Sequence, residues 1–130
     1  QQAEMAIGLG PAKGKDFATG LGPLLVSPGE LEDRRRSNGY DLHMVARVNG
    51  AEISRGNWAD VHFSFGEMIA RASTGVQLRP GDLFGSGTVG TGCLLEVGLD
   101  RTGGWLGPGD VVELEIERLG TLRNTIAPPS

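Results

Sequence analysis

The chain has 130 residues, with 22 glycines, 7 prolines, 38% apolar residues and 5% aromatic residues. That is enough for one domain with a single core, made of many short elements joined by tight turns, and it is too hydrophobic for a disordered chain. The formal net charge of -4 argues against non-specific nucleic-acid binding. A lone Cys93 rules out an internal disulfide, and no apolar run is long enough to cross a membrane as a helix. With no secretory leader legible, the expectation is a reduced, cytoplasmic protein.

In chain order, Gln1 to Lys15 gives no strand or helix signal and opens without an initiator methionine, so the chain reads as a piece of something longer. Leu24-Leu25-Val26 predicts a short strand, and Ser27-Pro28-Gly29-Glu30 a turn or helix start with proline at the first helical position. Glu32 to Tyr40 is expected to be a charged loop in which Arg34-Arg35-Arg36 is solvated. Residues 41 to 55 predict a β-hairpin turning at Asn49-Gly50, because both residues of a two-residue hairpin turn must accept positive φ. Ser64-Phe65-Gly66-Glu67 fits a capping box. Phe65, Met68, Ile69 and Ala72 then recur at helical spacing, which predicts an amphipathic helix over about 64 to 73 burying that face. Arg79-Pro80-Gly81-Asp82 and Gly107-Pro108-Gly109-Asp110 read as turns that launch strands over Leu83 to Ser86 and Val111 to Glu117. In the latter, Val112, Leu114 and Ile116 share one face, while Glu113, Glu115 and Glu117 share the other, a wet sheet face rather than a metal site. A last strand is expected over Thr121 to Ile126.

The chemistry concentrates in Gly85 to Glu96. Alternating glycines allow a ligand to lie against main-chain N–H groups, which makes this a candidate binding loop; the plain alternative is a glycine-rich connection between strands. Gly85, Gly87 and Gly90 match G-x-G-x-x-G. The run Cys93 to Val97 suits a strand, however, and does not supply the helix a pyrophosphate needs. Cys93 is expected to be a buried thiol rather than a nucleophile, and Trp58 and Trp105 to be core or interface anchors. His43 and His62 lack companions at metal spacing and read as structural. Glu96 interrupts an apolar run, where burial would raise its pKa and make it a candidate general base.

Taken together, Gly14-Lys15-Asp16-Phe17-Ala18-Thr19, the Asn49-Gly50 hairpin, Ser64-Phe65-Gly66-Glu67-Met68-Ile69, Arg79-Pro80-Gly81-Asp82 and Gly85-Ser86-Gly87-Thr88 with Glu96 resemble the C-terminal half of the fumarylacetoacetate hydrolase family, across nearly the whole chain. The resemblance implies a β-rich α+β fold: a mixed β-sandwich roll, incomplete here, with one short amphipathic helix. Residues 1–130 would form a single domain, the C-terminal part of the catalytic domain, lacking the part that carries the metal ligands and the catalytic histidine.

The implied activity is that of a metal-dependent hydrolase cleaving a C–C bond in a β-diketo acid of acylpyruvate or fumarylpyruvate type. The alternatives are an isomerase or decarboxylase of 2-oxo acids, or a non-catalytic relative. By the same resemblance Glu96 is the acid/base residue, and Lys15 stands beside the metal to neutralise a developing enolate. Thr19 lies in the metal's outer shell. Gly87 and Thr88 hold the substrate carboxylate, Gln1 contacts substrate, and Met5 replaces an aromatic contact. The implied cofactor is Mg²⁺, or Mn²⁺ or Ca²⁺. The implied partners are a small 2-oxo or β-diketo acid and either a second copy or the chain's own N-terminal part, with no nucleic acid and no membrane.

Overall fold

The computed structural model describes residues 5–8 and 18–128. Its centre is a four-stranded antiparallel sheet of order β4-β3-β5-β6, where β3 is His43–Val48, β4 Ala51–Asn57, β5 Val111–Ile116 and β6 Gly120–Thr125. A small hairpin of β1 (Arg35–Arg36) and β2 (Gly39–Tyr40) stands apart from it. Two helices follow the first half of the sheet: α1 over Phe65–Ala72 and a single turn, α2, over Leu94–Val97. The fold is sheet-rich α+β, and the sheet is open, with β4 and β6 at its edges.

The Asn49-Gly50 hairpin forms as its turn chemistry demands, with φ of 51° at Asn49 and 81° at Gly50. The side chain of Asn49 also ties this turn to the next strand. Its Nδ2 donates to Asp110 Oδ1 at 2.9 Å, and its Oδ1 accepts from the Val111 N–H at 2.9 Å. In β4 the pairing slips between Ala46 and Arg47, so that Ser54 faces Ala46 while Glu52 faces Arg47, leaving Ile53 as the extra residue of a bulge. The bulge is why two successive residues, Ile53 and Ser54, are both buried in a strand whose side chains otherwise alternate.

One buried cluster sits at an end of the sheet, while Val45, Val48 and Ile53 are buried along β3 and β4. Leu42 is fully buried and clusters with Leu31 and Tyr40, and Val26, Trp58, Ile116 and Leu119 close over them. Leu31 comes from a 3₁₀ helix over Pro28–Arg34 that starts at the Ser27/Glu30 capping box, as the Ser-Pro-Gly-Glu signal predicts. The expected charged loop over Glu32 to Tyr40 is therefore replaced by the end of this helix and the β1–β2 hairpin. The arginines there are paired: Arg34 with Glu117 at 2.8 Å, Arg35 with Glu32 at 2.7 Å and Arg36 with Asp41 at 3.5 Å.

Helix α1 has the predicted cap, with Ser64 Oγ accepting from the Glu67 N–H at 3.3 Å and the Glu67 carboxylate accepting from the Ser64 N–H at 2.8 Å. Its apolar face is not fully buried: Phe65, Met68 and Ala72 are half-buried and Ile69 is 44% exposed. Both Pro-Gly-Asp turns form, closed by Asp82 N–H to Arg79 O at 3.1 Å and Asp110 N–H to Gly107 O at 3.1 Å. The second launches β5. The first leads into Leu83 to Ser86 without joining the ladder, and Leu24 to Val26 is likewise extended but unpaired with any strand of the sheet. A short apolar run becomes a strand only where a neighbour supplies hydrogen bonds, and none of the six strands among the described residues does so for these two segments. The third departure is Cys93 to Val97, expected as a strand. It winds into α2, with the Val97 N–H donating to Cys93 O at 3.1 Å.

Candidate binding cleft

Two of the candidates, Gly87 and Thr88, lie where the glycine-rich loop packs on the sheet. Gly87 takes a φ of 85° and Thr91 one of 64°, bends that bring the loop down onto β4. Two contacts pin it there. The Val89 side chain packs directly against Gly56, where a Cβ would collide with it, and Thr91 Oγ1 lies 3.2 Å from Ser54 Oγ. The Gly92 N–H donates to Val89 O at 2.9 Å, closing the bend.

Above this loop opens a cleft of about 430 Å³. Ser86, Gly87, Thr88, Val89 and Gly90 line it together with the apolar side chains of Trp58, Val61, Phe63, Phe65 and Met68. Trp58 is held between Tyr40, at 4.9 Å between centroids, and Phe65, edge-on at 6.0 Å, so the core and the cleft share this ring. A second, smaller space of about 270 Å³ is lined by Gly87 and Thr88 as well, with Met44, Ala46 and Leu114. Gly87, Thr88 and Val89 therefore border both hollows, and Thr88 is itself exposed.

Among the residues named from sequence, the structure brings Gly87 and Thr88 together at the cleft. Glu96 is elsewhere: it lies on α2, exposed and outside the lining of both hollows, so the burial expected to make it a base is not found. Its chain neighbour Cys93 is exposed rather than buried. Trp105 is 66% exposed, outside the core. Thr19 is exposed, and the adjacent Gly20 lies against Leu122 and Asn124 of β6. Met5 is exposed. Gln1 and Lys15 lie outside the described residues.

Sequence reasoning did not identify Val61, Phe63, Asp60 and His62 as cleft residues. The signal available was the run Trp58-Ala59-Asp60-Val61-His62-Phe63, in which aromatic and polar residues mix without strand or helix period. Its local order comes from Asn57, whose side chain caps a 3₁₀ turn over Trp58–Asp60 through Ala59 N–H at 2.8 Å and holds Asp41 at 2.7 Å.

The acidic face of β5 is answered by arginines. Glu113 pairs with Arg123 at 3.4 Å, Glu115 with Arg47 at 2.6 Å and Glu117 with Arg34. These carboxylates are thus committed to ion pairs. Among the described residues no three His, Cys, Asp or Glu side chains stand together as a metal-holding group. The described residues therefore do not fit the divalent cation that the family resemblance implies. Nor, among them, is any helix long and apolar enough to cross a membrane.

An open antiparallel sheet carries a main-chain-rich loop beside an apolar cleft on an α+β scaffold. The chain matches the family Fumarylacetoacetate (FAA) hydrolase C-terminal over residues 1–127, and it belongs to that family. It is 37% identical over 116 residues to a 2,4-didehydro-3-deoxy-L-rhamnonate hydrolase of Sphingomonas, covering 88% of this chain and 38% of that protein. It is 32% identical over 117 residues to an oxaloacetate tautomerase of Bacillus subtilis, covering 88% and 35%. Among solved structures it is similar to a fumarylacetoacetate hydrolase from psychrophilic Exiguobacterium antarcticum, with a TM-score of 0.57 and 26% identity over 84% of this chain and 36% of that one. The chain thus spans under two-fifths of the length of these relatives.

Proposed function

We propose that this chain is the C-terminal part of an enzyme that hydrolyses a C–C bond in a small β-diketo acid. The observation that carries the reading is the position of Gly87 and Thr88, at the Gly87 bend in the lining of a cleft of ligand size in a chain of this family. The Thr88 hydroxyl and neighbouring N–H groups would donate to the two oxygens of the substrate carboxylate, which keeps the 2-oxo group in a fixed orientation. Water then adds to the distal carbonyl. The bond between that carbon and the central carbon breaks, and the central carbon leaves as an enolate and takes up a proton, so that one water is consumed and two products, a carboxylic acid and a 2-oxo acid, are formed.

In this reading Glu96 moves the proton and Lys15 neutralises the enolate, with Thr19 and Gln1 in supporting positions. Since Glu96 lies outside the cleft lining, the remainder of the enzyme must enclose it with the substrate. The carboxylates for a Mg²⁺ or similar cation would come from that remainder as well. Tautomerisation of a 2-oxo acid is the second reading, favoured by the similarity to an oxaloacetate tautomerase; it needs the same proton transfer without addition of water.

The test is steady-state kinetics of the complete protein on an acylpyruvate, following loss of the enol absorbance and formation of the two acids. Thr88→Val should raise KM with little change in kcat, because the lost hydrogen bond is present in ground and transition states alike. Glu96→Gln should lower kcat by roughly 10²- to 10⁴-fold. An unimpaired Glu96→Gln enzyme removes Glu96 from the mechanism, and enol loss without acid formation selects the tautomerase.

A further inference from the structure

We infer that the cleft beside Thr88 selects a 2-oxo acid whose far substituent is apolar and uncharged, in preference to a dicarboxylate; this rests on the reading of the site given above. The apolar part of the cleft lining is built from Trp58, Val61, Phe63, Phe65 and Met68. Phe63 is 57% exposed, so its ring offers open contact surface even with His62 packed against it. Met68 has an unbranched, polarisable side chain that adapts to ligand shape.

Charge decides the class of ligand. Among the described lining residues there is no lysine and no arginine, and the ionisable side chains are Asp60 and His62. His62 stacks edge-on with Phe63 at 4.5 Å, and its carbonyl accepts from Asn38 Nδ2 at 2.6 Å. Among the described lining residues a second carboxylate would find Asp60 and no lysine or arginine, which is costly on both counts. An alkyl or aryl group would instead gain by leaving water. The charged end of the ligand is served by the hydroxyls of Ser86 and Thr88 and the main chain around Gly87, which line the same cleft.

The experiment measures kcat/KM of the complete protein for acetylpyruvate, hexanoylpyruvate, benzoylpyruvate, oxaloacetate and fumarylpyruvate, with calorimetric binding of each. The expected result is a preference for the longer and aromatic acyl groups over acetyl of roughly tenfold or more, the scale of one to a few buried methylenes. The two dicarboxylates should fall below all three. Met68→Ala should flatten the dependence on acyl length, and Val61→Arg should move selectivity toward fumarylpyruvate, with circular dichroism confirming that both variants are folded.

A wild-type preference for dicarboxylates overturns the inference, and its loss in His62→Ala would show the imidazole to be the carboxylate's partner. Acyl-length selectivity that neither Met68→Ala nor Val61→Arg moves also overturns it, and is the result expected if the rest of the enzyme fills this cleft. In both cases the proposed function stands. Failure of all five acids to bind or react overturns the proposed function and this inference together.

Discussion

Gly39 shows how closely a single position can couple stability to the site. It is buried in β2, and a Cβ there would stand 2.5 Å from the Trp58 carbonyl oxygen, 2.9 Å from Trp58 Cδ1 and 3.1 Å from Val61 Cγ1. The first obstacle is backbone, which cannot swing away as a flexible side chain can. Gly39→Ala should therefore destabilise the complete protein by about 1–3 kcal/mol, the scale of an overpacked core, and should disturb the cleft wall that Trp58 and Val61 form. At Gly22 an added Cβ would meet nothing within 4 Å, and φ is not in the left-handed region, so Gly22→Ala should stay within about 0.5 kcal/mol. Urea denaturation midpoints of the two variants check this; equal midpoints would show that the β2 contact yields without cost. Glu96 and Cys93 teach the converse at the same scale. Apolar neighbours in sequence predict burial for both, and both are exposed, since one helical turn points successive side chains around its axis rather than into a sheet.

At the scale of elements, α1 depends on its cap more than on burial. None of its residues is fully buried, so the reciprocal Ser64–Glu67 hydrogen bonds carry a large share of what fixes its start. Ser64→Ala should cost about 1 kcal/mol, read as a fall in denaturation midpoint with unchanged slope. It should also weaken the cleft, because Phe65 and Met68 line it. No change in midpoint would mean that packing of Phe65 on Trp58 holds the helix without the cap. Strands and helices with strong local chemistry form as expected: the Asn49-Gly50 hairpin, α1, β5 and β6. The misread elements are those without it. Leu24 to Val26 and Leu83 to Ser86 are too short to define themselves, and Cys93 to Val97 is a run in which strand and helix cannot be told apart by period; flanking Gly92 and Gly98 let it close as one turn.

Across the whole molecule, ion pairs and carboxylate hydrogen bonds join segments far apart in sequence. Arg118 grips Asp33 with two bonds of 2.6 and 2.8 Å, joining the turn after β5 to the Pro28–Arg34 helix. That bond holds the Asp33 carboxyl below its ordinary value of 3.8. Asn57 does the same for Asp41, and Asn49 with the Gly107 N–H for Asp110. The Ser64 cap lowers Glu67 below 4.5. Each of these groups holds its charge to lower pH in the folded chain than in the unfolded one. Their contribution is therefore complete above the ordinary values and is lost as pH falls below about 4.5 and through the depressed values. The melting temperature of the complete protein should drop across that acid window, and Asp110→Asn should make the drop shallower while lowering stability at neutral pH. An acid limb identical in the variant would show that Asp110 carries none of it.

The sequence by itself determined what depends on neighbours a few residues apart: the hairpin turn, both Pro-Gly-Asp turns, the Ser64 capping box and the Ser27 helix start, the alternation of β5, and the motif order that marks the family. These follow from φ preferences, caps and side-chain period, which act over one or two turns of chain. Only the tertiary structure decided that Leu114, on the apolar face of β5, stays 49% exposed, and that the acidic face is matched by Arg34, Arg47 and Arg123. It also decided that the glycine loop rests on Gly56 and Ser54, and that the cleft joins residues 58 to 68 to residues 86 to 90. Such contacts arise from sheet register and from chain crossing over a sheet face, and a slip of one residue would reverse them, so no local pattern could have specified them.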